Sequence, residues 1–254
     1  MKVLNNIIGP WQKPWAVTWF LCGALALGIG FWVSTERTGL DLFMLVVALV
    51  GLVCVLALAF RRNTAGNGLG MLANIGEVVA QGRSGATGLM LAPLFYFATH
   101  LYGFFAWRRA QDEYGRMTPR KAGVLVWLIS GAFIALGLAI FPWLNTQLQQ
   151  FSFIPAGNEI ALRLAFVEIS WYQINVLAFV LGVTAQTTMI LRYAISWTLW
   201  IIVNFVWLAV NVANNNTIFA IQTMIYQVNA IIALYAWWQS TTTVNQKPQV
   251  KHHN

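Results

Sequence analysis

The sequence predicts an all-α polytopic membrane protein made of two parallel three-helix repeats, a linker helix between them and an extra N-terminal helix. Three observations predict it. Of 254 residues, 59% are hydrophobic and 9% charged, with a mean hydropathy of +0.65. The apolar residues gather in runs long enough to cross a bilayer, which takes ~20 residues of helix at ~1.5 Å each. The basic residues gather between those runs, and the later half of the chain echoes the earlier half at a spacing of 130 residues.

Eight spans are expected. The run 15–33 has no convincing small-residue cleavage site after it, so it reads as a retained helix and not as a signal peptide. Next come 40–60, then 67–82, which is short, Gly-rich and carries Glu77, then 86–107 and 122–141. The longest connection, 142–168, opens on Pro142-Trp143 and holds Pro155 and Gly157; its piece Asn158 to Phe166 is expected as a short interfacial helix. The last three spans are 170–190, 195–213 and 217–239. Every loop is short, so the chain, 1–254, forms a single transmembrane domain with no room for a separate soluble one.

An eight-span chain puts both termini on one side. That side collects 12 of the 15 Lys and Arg residues, and the other keeps Arg37, Arg83 and Arg163. The bias predicts cytoplasmic termini and a cytoplasmic 108–121 loop. It also accounts for the net charge of +8 without nucleic-acid binding.

A shift of 130 residues brings Arg62 onto Arg192, Asn74 onto Asn204, Tyr96 onto Tyr226 and Trp107 onto Trp237. Repeat 1 is then 40–107, repeat 2 is 170–239, and the span 122–141 links them. A three-helix unit reverses direction and one added helix restores it, so the repeats are parallel. Such repeats place a binding site near the midplane on their shared axis, with Asn74 and Asn204 facing each other.

Within the seventh span, Trp197, Trp200, Asn204, Trp207 and Asn211 follow spacings of three, four, three and four. At ~100° per residue they share a face roughly 80° wide. A buried amide in a bilayer must meet protein or a polar cavity, and indoles beside it offer flat π surfaces. The same face could also be a seam in which Trp packs and Asn bonds a neighbouring helix. Asn175 and Gln186 on the sixth span, and Tyr226 and Asn229 on the eighth, are further candidates. Gln227 is a candidate too, although it points elsewhere on its helix. Glu77 and His100 are the ionisable residues within spans; Glu77 is a candidate proton carrier or a partner for Arg83, and His100 reads as a packing residue. Amides, hydroxyls and π surfaces suit a neutral or monocationic ligand, whereas a phosphate would want Arg or Lys.

Other classes find no support. Gly66, Gly68 and Gly70 are not followed by Gly-Lys-Ser/Thr, no metal-ligand spacing occurs, and Cys22 and Cys54 fall in apolar runs. No enzyme activity, cofactor or metal is expected. A retinal protein needs a late-span Lys, and none stands between Lys121 and Lys247.

Trp197-x-x-Trp200-x-x-x-Asn204, opening a span just after Arg192, resembles the WxxWxxxN motif of the PnuC-type nicotinamide riboside transporters. The resemblance runs over about residues 41–239 and includes Ala185-Gln186 and the stretch Tyr102-Gly103 to Trp107. The family is similar to the sugar-transporting SWEETs in its three-plus-one-plus-three plan. The resemblance implies uptake of nicotinamide riboside across a bacterial inner membrane by facilitated diffusion, followed by trapping through cytoplasmic phosphorylation. In the first repeat Asn67 and Gly70 stand where the second has Trp197 and Trp200, so the stacking platform is one-sided. The alternatives are a sugar, nucleoside or vitamin carrier on the same scaffold and a non-transporting membrane assembly protein. A homo-oligomer is compatible with all of them.

Overall fold

A computed structural model describes residues 13–33, 37–83, 87–148, 160–164, 167–213 and 215–246. Eight helices carry the fold: α1 (Lys13–Val33), α2 (Gly39–Ala59), α3 (Asn63–Arg83), α4 (Thr87–Ala106), α5 (Val124–Leu148), α6 (Trp171–Ile190), α7 (Ile195–Ala213) and α8 (Thr217–Gln246). Among the described residues six, α1, α2, α5, α6, α7 and α8, are long and apolar enough to cross a membrane; α3, rich in Gly and Asn, is the most polar of the eight.

The two repeats begin and end alike. Thr38 caps α2 with a reciprocal bond to Asp41, and Ser170 caps α6 in the same way with Gln173. Each pair satisfies two backbone N–H groups that the first turn leaves open. At the other ends, Arg61 (φ 63°) and Arg192 (φ 73°) adopt the left-handed conformation that stops a helix. The sharp turns send the chain into α3 and α7.

The loop between α4 and α5 binds both of these turns. Met117 N–H donates to Arg61 O (2.9 Å) and Arg120 N–H to Arg192 O (2.7 Å). In return, the Arg61 and Arg192 guanidiniums donate to Met117 O (3.2 Å) and Thr118 O (3.3 Å). Burial holds both guanidiniums below their ordinary pKa. Because one loop reaches both turns, α2 and α6 end on the same side and run in the same direction, which makes the repeats parallel.

Their third helices cross over. α8 packs on α2 and α4 packs on α6. Trp107 Nε1 donates to Ile190 O (2.8 Å), and Trp237 Nε1 donates to Leu58 O (3.2 Å). Gln186 Nε2 donates to Thr99 Oγ1 (3.1 Å), and Asn229 Nδ2 donates to Val55 O (3.2 Å). A Cβ on Gly182 would collide with the Tyr96 hydroxyl, and one on Gly51 with that of Tyr226. Only glycine leaves room for the tyrosine tip at each place.

These pairs correct the register of the repeat. Third-helix partners stand 130 residues apart (Tyr96/Tyr226, Thr99/Asn229, Trp107/Trp237). First-helix partners stand 131 apart (Gly51/Gly182, Val55/Gln186, Arg61/Arg192). The structural mate of Arg192 is therefore Arg61 and not Arg62. Repeat 1 holds one more residue than repeat 2 between its first and third helices, which is invisible to an ungapped shift.

Three further expectations change. α5 runs through Pro142 to Leu148 instead of stopping at 141. The segment after it contains a hairpin where a short interfacial helix was expected: β1 (Ile160–Leu164) pairs antiparallel with β2 (Val167–Ser170), closed by Arg163–Glu168 at 3.1 Å. Asn158, Glu159, Ala165 and Phe166 lie outside the described residues. β-branched and aliphatic residues alternating with Arg163 and Glu168 fit a strand period as well as a short helical one. α8 also continues to Gln246, past the expected 239.

The linker and the extra helix sit at the rim. In the apolar stretch of α5 only 11% of residues are buried, against 67% in α6, so α5 presents most of its sides to lipid. α1 lies on α2 and α8. Gly23 and Gly30 permit that approach, since a Cβ on Gly23 would sit 2.8 Å from Leu52 Cδ2 and one on Gly30 would strike Ile221.

Candidate functional site

α3 and α7 are not packed on one another, and a cavity of about 140 Å³ lies among the helices of the two repeats. At ~10–15 Å³ per water position, it holds on the order of ten such positions, the scale of a small organic molecule. Its lining combines indoles, phenols and carboxamides with Glu77, and holds no Lys or Arg among the described residues.

α7 turns the face read from its sequence toward this space. Trp197, Trp200, Asn204, Trp207 and Asn211 all line it. Their availability differs. Trp197 is 3% exposed and sits edge-on to Trp237, with ring centroids 5.5 Å apart. Trp200 is less buried and meets Tyr96 edge-to-face at 5.7 Å, which leaves a π surface of the indole for a ligand. Asn211 Nδ2 donates to Thr223 Oγ1 (3.3 Å). Asn204 makes no side-chain hydrogen bond among the described residues, although it is buried and lines the cavity. A buried amide without a protein partner is costly unless something in the cavity satisfies it.

The opposite wall is α3 with α4. Asn74, the mate of Asn204, donates from Nδ2 to Gly70 O of its own helix (2.7 Å). Glu77, three residues on, lines the cavity with no hydrogen bond or ion pair among the described residues; the Arg83 side chain lies outside them. Behind them runs a polar relay. Asn63 Nδ2 donates to the Phe104 carbonyl (2.8 Å), Asn67 Nδ2 to Asn63 Oδ1 (2.7 Å), and Asn67 Oδ1 meets His100 Nδ1 (2.9 Å). A carbonyl can only accept, so each orientation follows in turn and His100 Nδ1 must donate. Nε2 of a neutral ring then carries the lone pair. His100 does pack, as its sequence context suggests, with its ring on Gly70, yet it also lines the cavity.

Of the ten residues singled out from the sequence, eight come together here: Asn74, Tyr96, Gln186, Trp197, Trp200, Asn204, Tyr226 and Asn229. Tyr226 accepts from Gln222 Nε2 (2.7 Å). Trp197 Nε1 and Asn229 Oδ1 are buried without a hydrogen-bond partner among the described residues, so the wall holds a spare donor and a spare acceptor, while the Tyr96 hydroxyl is in reach of Trp207. The other two are elsewhere. Asn175 sits near the start of α6 and bonds Trp171 O (3.0 Å). Gln227 is turned off the lining because one step along a helix rotates a side chain by ~100° from Tyr226. Sequence reasoning passed over Gly51, Phe219 and Thr223, and it read Glu77 as a proton carrier or a partner for Arg83 and not as part of the binding face. A signal was present: at a spacing of 130, Glu77 aligns with Trp207 on the indole face.

Comparison with known proteins agrees with this architecture. Residues 41–239 match the family model described as nicotinamide mononucleotide transporter. Among curated proteins none matches this chain. A solved structure described as the vitamin B3 transporter PnuC superposes with a TM-score of 0.72 at 19% identity, covering 92% of this chain and 94% of its own.

Proposed function

Because this chain belongs to the nicotinamide mononucleotide transporter family, we propose that it carries nicotinamide riboside across a bacterial inner membrane by facilitated diffusion. The observation that supports this substrate is the lining, in which indoles stand beside carboxamides and no Lys or Arg occurs among the described residues. A desolvated cation over an indole face gains ~2 kcal/mol, which suits the pyridinium. Asn204 and Asn229 have amide atoms to spare for the carboxamide and the ribose hydroxyls. The mononucleotide of the family's description adds a 5′-phosphate, and a phosphate calls for Arg or Lys donors that this lining lacks. The dephosphorylated riboside is therefore the better match. Phosphorylation on the cytoplasmic side would keep it from leaving and would supply the inward drive.

Calorimetric titration of purified protein tests the substrate. Nicotinamide riboside binds, while free ribose, other nucleosides and nicotinamide mononucleotide bind at least tenfold more weakly; a preference for ribose would point to a sugar carrier, and no binding at all to an assembly role. Liposomes containing the protein equilibrate the riboside and do not concentrate it. Accumulation driven by a proton gradient, abolished in Glu77→Gln, would replace facilitated diffusion with coupled transport. For orientation, a cysteine introduced at Gln111 is labelled from the cytoplasm and one at Asn215 from outside; labelling of both from one side would refute the topology.

A further inference from the structure

Glu77 is left without an account by packing and by the repeat. It lies in the second half of α3, six residues before the helix ends at Arg83, and is half-buried. It lines the cavity and has no partner among the described residues. It is close enough to interact electrostatically with Tyr96 of α4, Tyr226 of α8 and Cys54 of α2, which places it between the two repeats. Within a membrane such a group is expensive unless an opposite charge or a set of donors meets it. Among the described residues the lining supplies no Lys or Arg, and the His100 Nδ1–H is already committed to Asn67.

The repeat shows where a counter-charge would sit. Asn74 and Glu77 of α3 correspond to Asn204 and Trp207 of α7, and all four line the same space. The two walls thus offer matched amides, then a carboxylate on one side and an indole on the other. Both of the latter attract a positive ring, one through its charge and one through its quadrupole. Neither favours an anion.

We propose that Glu77 is the charge-selecting residue of this cavity, its carboxylate acting as counter-ion to a cationic aromatic ring held against the indoles of α7. The proposal rests on the riboside reading above and adds the residue that discriminates by charge. It also gives Glu77 an electrostatic task in place of proton carriage.

A pair of ligands that differ mainly in charge tests it: nicotinamide riboside, a monocation, and its reduced dihydro form, which is neutral. Both are titrated into wild-type protein, Glu77→Gln and Glu77→Asp, with ligand-free thermal melting to confirm that each variant is folded. Wild type prefers the cation. Glu77→Gln weakens cation binding at least tenfold and changes neutral-ligand binding by less than twofold, and Glu77→Asp keeps the preference. Equal weakening of both ligands in Glu77→Gln, or no weakening of either, would overturn the proposal and leave the riboside reading standing. Failure of wild type to bind either ligand would overturn that reading and the proposal together.

Discussion

α3 and α7 occupy equivalent places in the two repeats and have been given opposite tasks. Both begin at a left-handed arginine turn bound to the same loop, and both put an asparagine at the centre of the cavity. From there they diverge. α7 carries three indoles and Asn204, whose side chain makes no hydrogen bond among the described residues. α3 has Asn67 and Gly70 in place of two indoles, ties Asn74 to its own backbone, and has Glu77 in place of the third. The glycine at position 70 leaves space that the His100 ring fills, with its atoms 2.6–2.7 Å from where a Cβ would stand. Repetition therefore built the frame, and divergence within the frame built a cavity with an aromatic wall and a polar one that carries a carboxyl group. Where the repeats are alike, substitutions in the two should cost the same. Where they differ, the costs should part.

The largest effect tests the alike part. Trp107 and Trp237 are both fully buried, sit 5.9 Å apart edge-to-face, and bond the opposite repeat. Truncating either to Ala removes a large side chain and its hydrogen bond, at ~3–5 kcal/mol each. Thermal unfolding in detergent should show similar losses for Trp107→Ala and Trp237→Ala. A loss confined to one would break the equivalence of the two cross-repeat contacts.

Next come the paired asparagines. Asn204→Leu leaves ligand groups unpaired and should weaken riboside binding by ~1–3 kcal/mol. Asn74→Leu should change affinity less than threefold, because its amide already serves Gly70. Equal losses by titration would show that α3 and α7 share the ligand evenly.

A smaller effect separates neighbours on one helix. Trp200→Ala removes a reachable stacking surface, ~1–2 kcal/mol, or about five- to thirtyfold in affinity. Trp197→Ala should instead lower the unfolding temperature more than it lowers affinity, since its ring is packed against Trp237. The reverse pattern would move the stacking platform one turn toward the helix start. Smallest of all, Asn175→Ala and Gln227→Ala should leave binding within twofold, being off the lining; a larger change would redraw the cavity.

Much of this was legible before any coordinates. Residues with a spacing of three and four stay on one side of α7 whatever surrounds it, so the Trp–Asn face could be read from local periodicity alone. Tyr226 and Asn229 were found by the same rule. Asn175 shares a stripe of α6 with Gln186, yet eleven residues along a helix is ~16 Å of travel, and periodicity reports direction without depth. Glu77 was read as a candidate proton carrier or a partner for Arg83, because a span at 67–82 does not report which residues of other helices its side chains meet; the structure sets Glu77 in the cavity lining.

The sequence by itself determined the helices, the clustering of basic residues in the turns and the existence of a repeat. Hydropathy, capping and helical period are properties of a few neighbouring residues, and each is complete within its own segment. Only the tertiary structure decided the shift from 130 to 131, the seating of each tyrosine on a glycine of the other repeat, and the meeting of Glu77 with the indole wall. Those depend on how far each helix is rotated and how closely two helices approach. That distance is set by side chains lying more than a hundred residues apart, and no local pattern encodes it.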